Sequence, residues 1–276
     1  LSLFRNTNLF QAVNTKDRSL KVLSEFVERI SAKKVDGIVK EYKRLDNFYD
    51  VTATYEAFKS NMVKNRYSDV VCIDSTRVKL ELGEKDFGDY IHANYVSFPL
   101  LTTKFICTQG PLQSTIHDFW RMIFQERIES VLMLCNWPDR GVPDHNSCLI
   151  PLQLLDRIRH APCVVHCSAG IGRTGSIIAL EIALQDVVAG NTIDFERIAR
   201  ELRCARAQCI QTQVQYLYIH RVMIENALMH INLDESTKAT GKKFLQDYDS
   251  KLQKGVLCCQ IPTFSYVVYF AILKMN

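Results

Sequence analysis

Cys167 is followed without interruption by Ser168, Ala169, Gly170, Ile171, Gly172 and Arg173, and the apolar run PCVVH (162–166) leads into it. Two kinds of phosphate chemistry can use such a stretch. Gly170, Gly172 and Gly175 spell G-x-G-x-x-G between an apolar run and a helical pattern, the form of a dinucleotide-binding turn. The same residues describe a thiol nucleophile under a phosphate cup. A chain that leaves a strand and enters a helix turns successive backbone N–H groups into one concavity, where the helix dipole adds positive potential. A phosphate dianion fits that cup, and a thiolate beneath it is favoured by the same field. Arg173 would supply a planar fork for two phosphate oxygens. Thr174 would offer its hydroxyl to the sulfur. The cofactor reading needs an acidic residue at the end of a second strand, and Asp194 is the one within reach. It opens NTIDFERIARELR, a helical pattern, so the context is wrong for that reading.

The elements that must hold this loop follow from periodicity. Leu20, Leu23, Phe26, Val27 and Ile30 recur at helical spacing, as do Val35, Ile38, Val39, Tyr42 and Leu45. TRVKLEL, YIHANYVSF and KFICTQG read as short strands. Ser114 is an expected N-cap for a helix with Ile116, Phe119, Trp120, Ile123 and Phe124 on one face. SVLMLC (130–135) and PCVVH are strands apolar on both faces. The segment 174–189 is apolar almost all round and stops at Gly190, with further helices expected at 192–204 and 212–230. The pattern predicts a single α/β (α+β) domain, a mixed sheet flanked by helices.

Composition narrows the function. The chain has 276 residues with a net charge of +4, too mild and too evenly spread to indicate nucleic acid. Its ten cysteines are irregularly spaced, no Cys-x-x-Cys occurs, and no histidine–cysteine cluster resembles a zinc site. Reduced thiols, a cytoplasmic location and no metal or cofactor are expected. The tail 256–273 is apolar but interrupted, and its Cys258-Cys259 pair hints only weakly at a membrane anchor.

HCSAGIGRTG resembles the signature loop of the protein tyrosine phosphatases, the cysteine-dependent phosphatases of phosphotyrosine. KNRYSDV (64–70) is similar to that family's substrate-recognition loop, and DYIHANYV (89–96) and TQGPL (108–112) to its core strand and turn. WPDRGVP (137–143) resembles its acid loop and QCIQTQVQY (208–216) its glutamine motif, all in the family's order. The resemblance implies hydrolysis of phosphotyrosine in proteins through a phosphocysteine on Cys167. It implies that Arg173 and the amides of Ser168, Ala169, Gly170, Ile171 and Gly172 bind the phosphoryl oxygens, and that Asp139 is general acid and then base. Gln211 would position the hydrolytic water with Gln215 nearby. Tyr67 would stack on the substrate ring and Asp69 hold the substrate backbone.

The sequence also departs from that pattern. Asn136 runs straight into Trp137, where the family has several intervening strands and a glutamate that pairs with the signature arginine. The resemblance then implies a truncated sheet with an exposed edge, an Arg173 without its carboxylate anchor, and an acid loop on a new stem. An alternative follows: a phosphotyrosine-binding scaffold without turnover. The expected organisation is an N-terminal extension (1–19), a catalytic domain (20–231) shortened at 136/137, and a tail (232–276). Beyond Tyr248 no family counterpart is found.

Overall fold

The computed structural model describes residues 13–83, 88–134, 137, 140–143, 147–158, 161–254 and 271–274, with the backbone alone at 13–16 and 271–274. The sheet has the order β1-β2-β3-β5-β4-β6. Its members are β1 (Arg77–Lys79), β2 (Tyr90–Val96), β3 (Phe105–Thr108), β4 (Ser130–Met133), β5 (Cys163–His166) and β6 (Ala271–Lys274). β3, β5 and β4 run parallel at the centre, while β1, β2 and β6 add antiparallel pairings outside them. The mixed α/β architecture expected from the sequence is what is found.

Alternation along the strands explains the layers. Phe105, Cys107, Leu132, Cys163 and Val165 face one core, and Ile106, Val131 and Val164 face the other. The smaller core is closed by Phe119, Met122 and Ile123 of α3 (Ile116–Gln125). The larger is built on α5 (Gly172–Ala189) and α7 (Gln213–His230), both buried almost all round. α1 (Val13–Asp46) and α8 (Glu235–Gln253) pack on α7, and α6 (Phe195–Ala205) on α5. Gly190, the left-handed cap at φ 77°, stops α5 where expected. α1 is broken at Lys34 (φ 60°, ψ 169°), between the two periodic runs of the sequence. α2 (Glu56–Ser60) and α4 (Ile150–Ile158) complete the set, and Pro151 sits in the first turn of α4, where its missing N–H costs nothing.

Three expectations are corrected. Ser114 is not the N-cap of α3; it lies inside a 3₁₀ turn, and Thr115 Oγ1 accepts from the Leu112 amide at 2.9 Å. Nor are the five apolar residues of α3 buried together. Phe119 and Ile123 are, but Ile116, Trp120 and Phe124 are 40%, 40% and 67% exposed. They form an adjacent i, i+4, i+8 row, and the sheet covers only its neighbour. Finally, the outer edge of β4 is not exposed: β6 pairs with it from Ser130↔Lys274 to Met133↔Ala271.

Buried imidazoles give this fold an acid limit. His220 lies among Phe26, Phe195 and Tyr216, with ring centroids 4.7 to 6.3 Å away. Burial holds its pKa down to about 4 against an ordinary 6.5, while Glu41 and the Tyr216 carbonyl oppose that shift. The unfolded chain therefore takes up a proton below pH 6.5 that the folded chain refuses until about pH 4. Stability is complete above pH 6.5 and falls through that window, by up to about 3 kcal/mol from this group. His220→Phe keeps the ring contacts and removes the titration. Urea midpoints measured from pH 8 down to pH 4.5 should fall less steeply for this variant than for the unsubstituted chain.

Candidate active site

The turn between β5 and α5 has its carbonyls tied outward. Ser168 O accepts the Gly110 amide at 2.8 Å, and Ile171 O accepts the Ile210 amide at 3.1 Å. Between them, Ala169 O and Gly170 O accept Nη2 and Nε of Arg206 at 2.9 and 3.1 Å. With the carbonyls held outside, the amides face in. The Gly170 N–H donates to Cys167 Sγ at 3.2 Å. Among the described residues, the amides of Ser168, Ala169 and Ile171 have no carbonyl partner, which leaves them available to an anion.

Close packing constrains all three glycines, most severely Gly170 and Gly175, which face main chain. At Gly170 (φ +71°) a Cβ would lie 2.1 Å from Thr108 O. At Gly172 it would meet the Gln215 amide at 2.8 Å. The third position, Gly175, leaves 2.7 Å to the Ile210 amide, so α5 packs directly on the segment before α7.

Cys167 is buried, 2% exposed, at the floor of this turn. Other cysteines behave as buried thiols: burial pushes Cys163 and Cys209 up to about 12. No disulfide joins the described cysteines. The Thr174 hydroxyl is fully buried and makes no hydrogen bond among the described residues, so the bond to sulfur expected of it is not present. Arg173 is also buried, and Nη1 donates to Leu134 O at 3.2 Å and Trp137 O at 2.6 Å.

Of the remaining motif residues, Tyr67 and Gln215 touch the turn directly. Tyr67 is 38% exposed, and its hydroxyl is 2.7 Å from Ser168 Oγ. Its loop is clamped from below: Gln109 accepts the Arg66 amide and donates to Lys64 O, while Lys64 pairs with Asp118. Asp69 O accepts Nε2 of Gln208 at 3.2 Å, and the Asp69 side chain is exposed. Thr212 caps α7, and Gln215 Oε1 accepts the amides of Gln211 and Thr212 at 3.1 and 3.2 Å. Gln215 Nε2 is buried beside Gly172 and has no partner among the described residues. Asp139 lies outside the described residues. Its neighbours on both sides are fastened here: Trp137 is buried against Tyr218 with its carbonyl on Arg173, and Arg140 O accepts the Thr212 hydroxyl at 3.2 Å.

One functional residue escaped the sequence reading. Arg206 is fully buried beneath the turn, and its Nη1 also donates to Asn94 Oδ1 at 2.7 Å and His92 Nδ1 at 2.9 Å. Burial and this neighbouring charge hold the His92 pKa down to about 3, so the ring stays neutral and accepts. In RELRCARAQC nothing in the local pattern distinguishes Arg206 from Arg200 and Arg203.

Comparison with known proteins agrees with this geometry. The family model described as protein-tyrosine phosphatase matches residues 61–136 and 136–225, two segments that meet at the shortened join. The receptor-type tyrosine-protein phosphatase zeta of Rattus norvegicus is 29% identical over 280 positions, covering 70% of this chain and 12% of its own. A Lar-like tyrosine-protein phosphatase of Caenorhabditis elegans is 28% identical, covering 81% and 13%. The chain thus spans about an eighth of the length of these relatives. Tyrosine phosphatase H2 of Microplitis demolitor bracovirus is 29% identical over 311 positions, covering 83% of this chain and 91% of its own. That alignment is longer than the 276 residues here, so the relative carries residues with no counterpart in this chain.

Arg206→Met strips four hydrogen bonds from one buried point. It should lower unfolding stability by about 2–4 kcal/mol and weaken inorganic phosphate binding about tenfold or more. Denaturant titration and calorimetry read the two effects. Arg206→Lys keeps the charge without the fork, and should recover less than half of the lost affinity.

Proposed function

The chain belongs to the protein-tyrosine phosphatase family, and we propose that it hydrolyses phosphotyrosine in proteins through a phosphocysteine on Cys167. The observation that carries the reading is the Gly170 N–H donated to Cys167 Sγ inside a turn whose carbonyls all point away. An anion at the sulfur, and phosphoryl oxygens above it, meet donors already aimed and need no reorganisation. Arg173, at the first turn of α5, adds charge and a fork on the same side.

The steps distribute over the rim. Tyr67, half-exposed beside Ser168, receives the aromatic ring and sets the depth at which a phosphate reaches the sulfur. A phosphoserine is too short to span it. The Cys167 thiolate attacks phosphorus and the tyrosyl oxygen leaves with a proton from Asp139, whose flanking carbonyls sit on Arg173 and Thr212. Water then attacks the phosphocysteine, oriented by Gln211 with Gln215, and Asp139 takes its proton back. The Thr174 hydroxyl, which has no hydrogen-bond partner among the described residues, donates to the departing thiolate in this second step. Asp69 holds the substrate main chain. Substrates are phosphotyrosine proteins and the reaction calls for no cofactor.

Cys167→Ser should abolish release of phosphate from a phosphotyrosine peptide while the peptide still binds. Asp139→Ala should lower kcat by about 10²-fold or more and leave KM or peptide affinity little changed. Turnover that survives in Cys167→Ser overturns the proposal. Peptide binding without turnover in the unsubstituted chain would instead identify a phosphotyrosine-binding scaffold, the reading that the missing Arg-anchoring block favours.

A further inference from the structure

β4 is the strand from which the acid-loop segment departs, and its outer side is filled by residues from the far end of the chain. β6 runs antiparallel to it over all four residues, Ser130↔Lys274, Val131↔Leu273, Leu132↔Ile272 and Met133↔Ala271. In the order β1-β2-β3-β5-β4-β6, β4 would be the sheet edge without this partner. The segment immediately after β4 carries two groups that accept from Arg173. The Leu134 amide donates to His166 O at 2.9 Å, and Leu134 O and Trp137 O accept Arg173 Nη1. The match to the family breaks at residue 136, between those two carbonyls.

We propose that β6 is a positioning strand for Arg173. A four-residue edge strand is bonded on one side only and can twist or fray at its end. Pairing on the second side fixes the line of β4, and so the points where the Leu134 and Trp137 carbonyls meet the guanidinium. The tail thereby takes the place of sheet neighbours that the shortened chain lacks at this edge. A displacement of about 1 Å in an orienting group costs up to about 10²-fold in rate, so the contribution is catalytic in effect although β6 touches no substrate. The inference rests on the phosphatase reading above.

The register supplies its own control. In an antiparallel pair, alternate residues exchange both main-chain bonds with the partner strand, and the residues between them point their N–H groups away. Proline at Ile272 and proline at Leu273, made separately in the full chain, therefore remove a ladder donor in one case and an outward N–H in the other. Phosphotyrosine-peptide turnover, inorganic phosphate affinity and hydrogen exchange of the amides at 131–134 are measured for each. One variant should lose protection at 131–134, with kcat and phosphate affinity each down about tenfold or more, and the other should follow the unsubstituted chain. Lost protection with unchanged kcat and affinity would overturn the positioning role, and unchanged protection in both variants, or equal loss in both, would overturn the pairing. An unsubstituted chain with protected 131–134 amides that neither binds phosphate nor turns over peptide would sink the phosphatase reading instead.

Discussion

The outward orientation of four consecutive carbonyls, Ser168 to Ile171, is the constraint on which the site depends. A five-residue turn has no regular ladder to decide which of its groups face in. Left to itself it would present carbonyl oxygens to the thiol as readily as amides. Three separate parts of the fold remove that freedom: the Gly110 amide after β3, the Ile210 amide before α7, and the Arg206 fork after α6. Each is a donor, so each draws an oxygen outward and leaves an N–H behind. The inward charge of the turn is thus imposed by the scaffold, not chosen by the turn.

Arg206 contributes in two ways that are hard to separate. Its hydrogen bonds fix geometry, and its charge, fully buried, has no water to screen it. Burying a guanidinium is costly, and here it is offset by four neutral acceptors, two in the turn and two on β2. Neutral acceptors satisfy the donors and leave the charge uncancelled. A carboxylate in the same place would have been the cheaper partner for folding, and a worse one for an anion site directly above. The neutral His92, kept so by burial and by the same charge, fits that arrangement.

The legible parts of the sequence were those whose chemistry needs neighbours in the chain. A nucleophile, its amides and its arginine must be contiguous, so HCSAGIGRTG could be read as a unit. Helix and strand identity survived for the same reason, because an all-apolar 174–189 and the SVLMLC and PCVVH runs announce their burial locally. What stayed hidden was long-range. Arg206 lies 36 residues from Gly170 and 114 from His92, and its local pattern is that of an exposed helix end. The pairing of 271–274 with 130–133 crosses half the chain and concerns an apolar tail with no motif. The exposed row of Ile116, Trp120 and Phe124 was missed because periodicity reports an apolar face but not how wide a neighbour covers it.

The segment at the shortened join takes part in holding Arg173. Two main-chain carbonyls, on either side of the join, accept from the same Nη1. Carbonyls carry partial charge only, so these two bonds orient the guanidinium without neutralising it. Their own positions then matter more than those of a long, adjustable carboxylate side chain would. Main-chain acceptors can be no better placed than the strand that ends in them. Trp137, buried against Tyr218 and bonded through Nε1 to Gly141 O at 2.9 Å, anchors one of the two. The other, Leu134, is anchored by its amide on His166 O and by the line of β4. Two of the hydrogen bonds that hold Arg173 thus depend on the rigidity of a sheet edge.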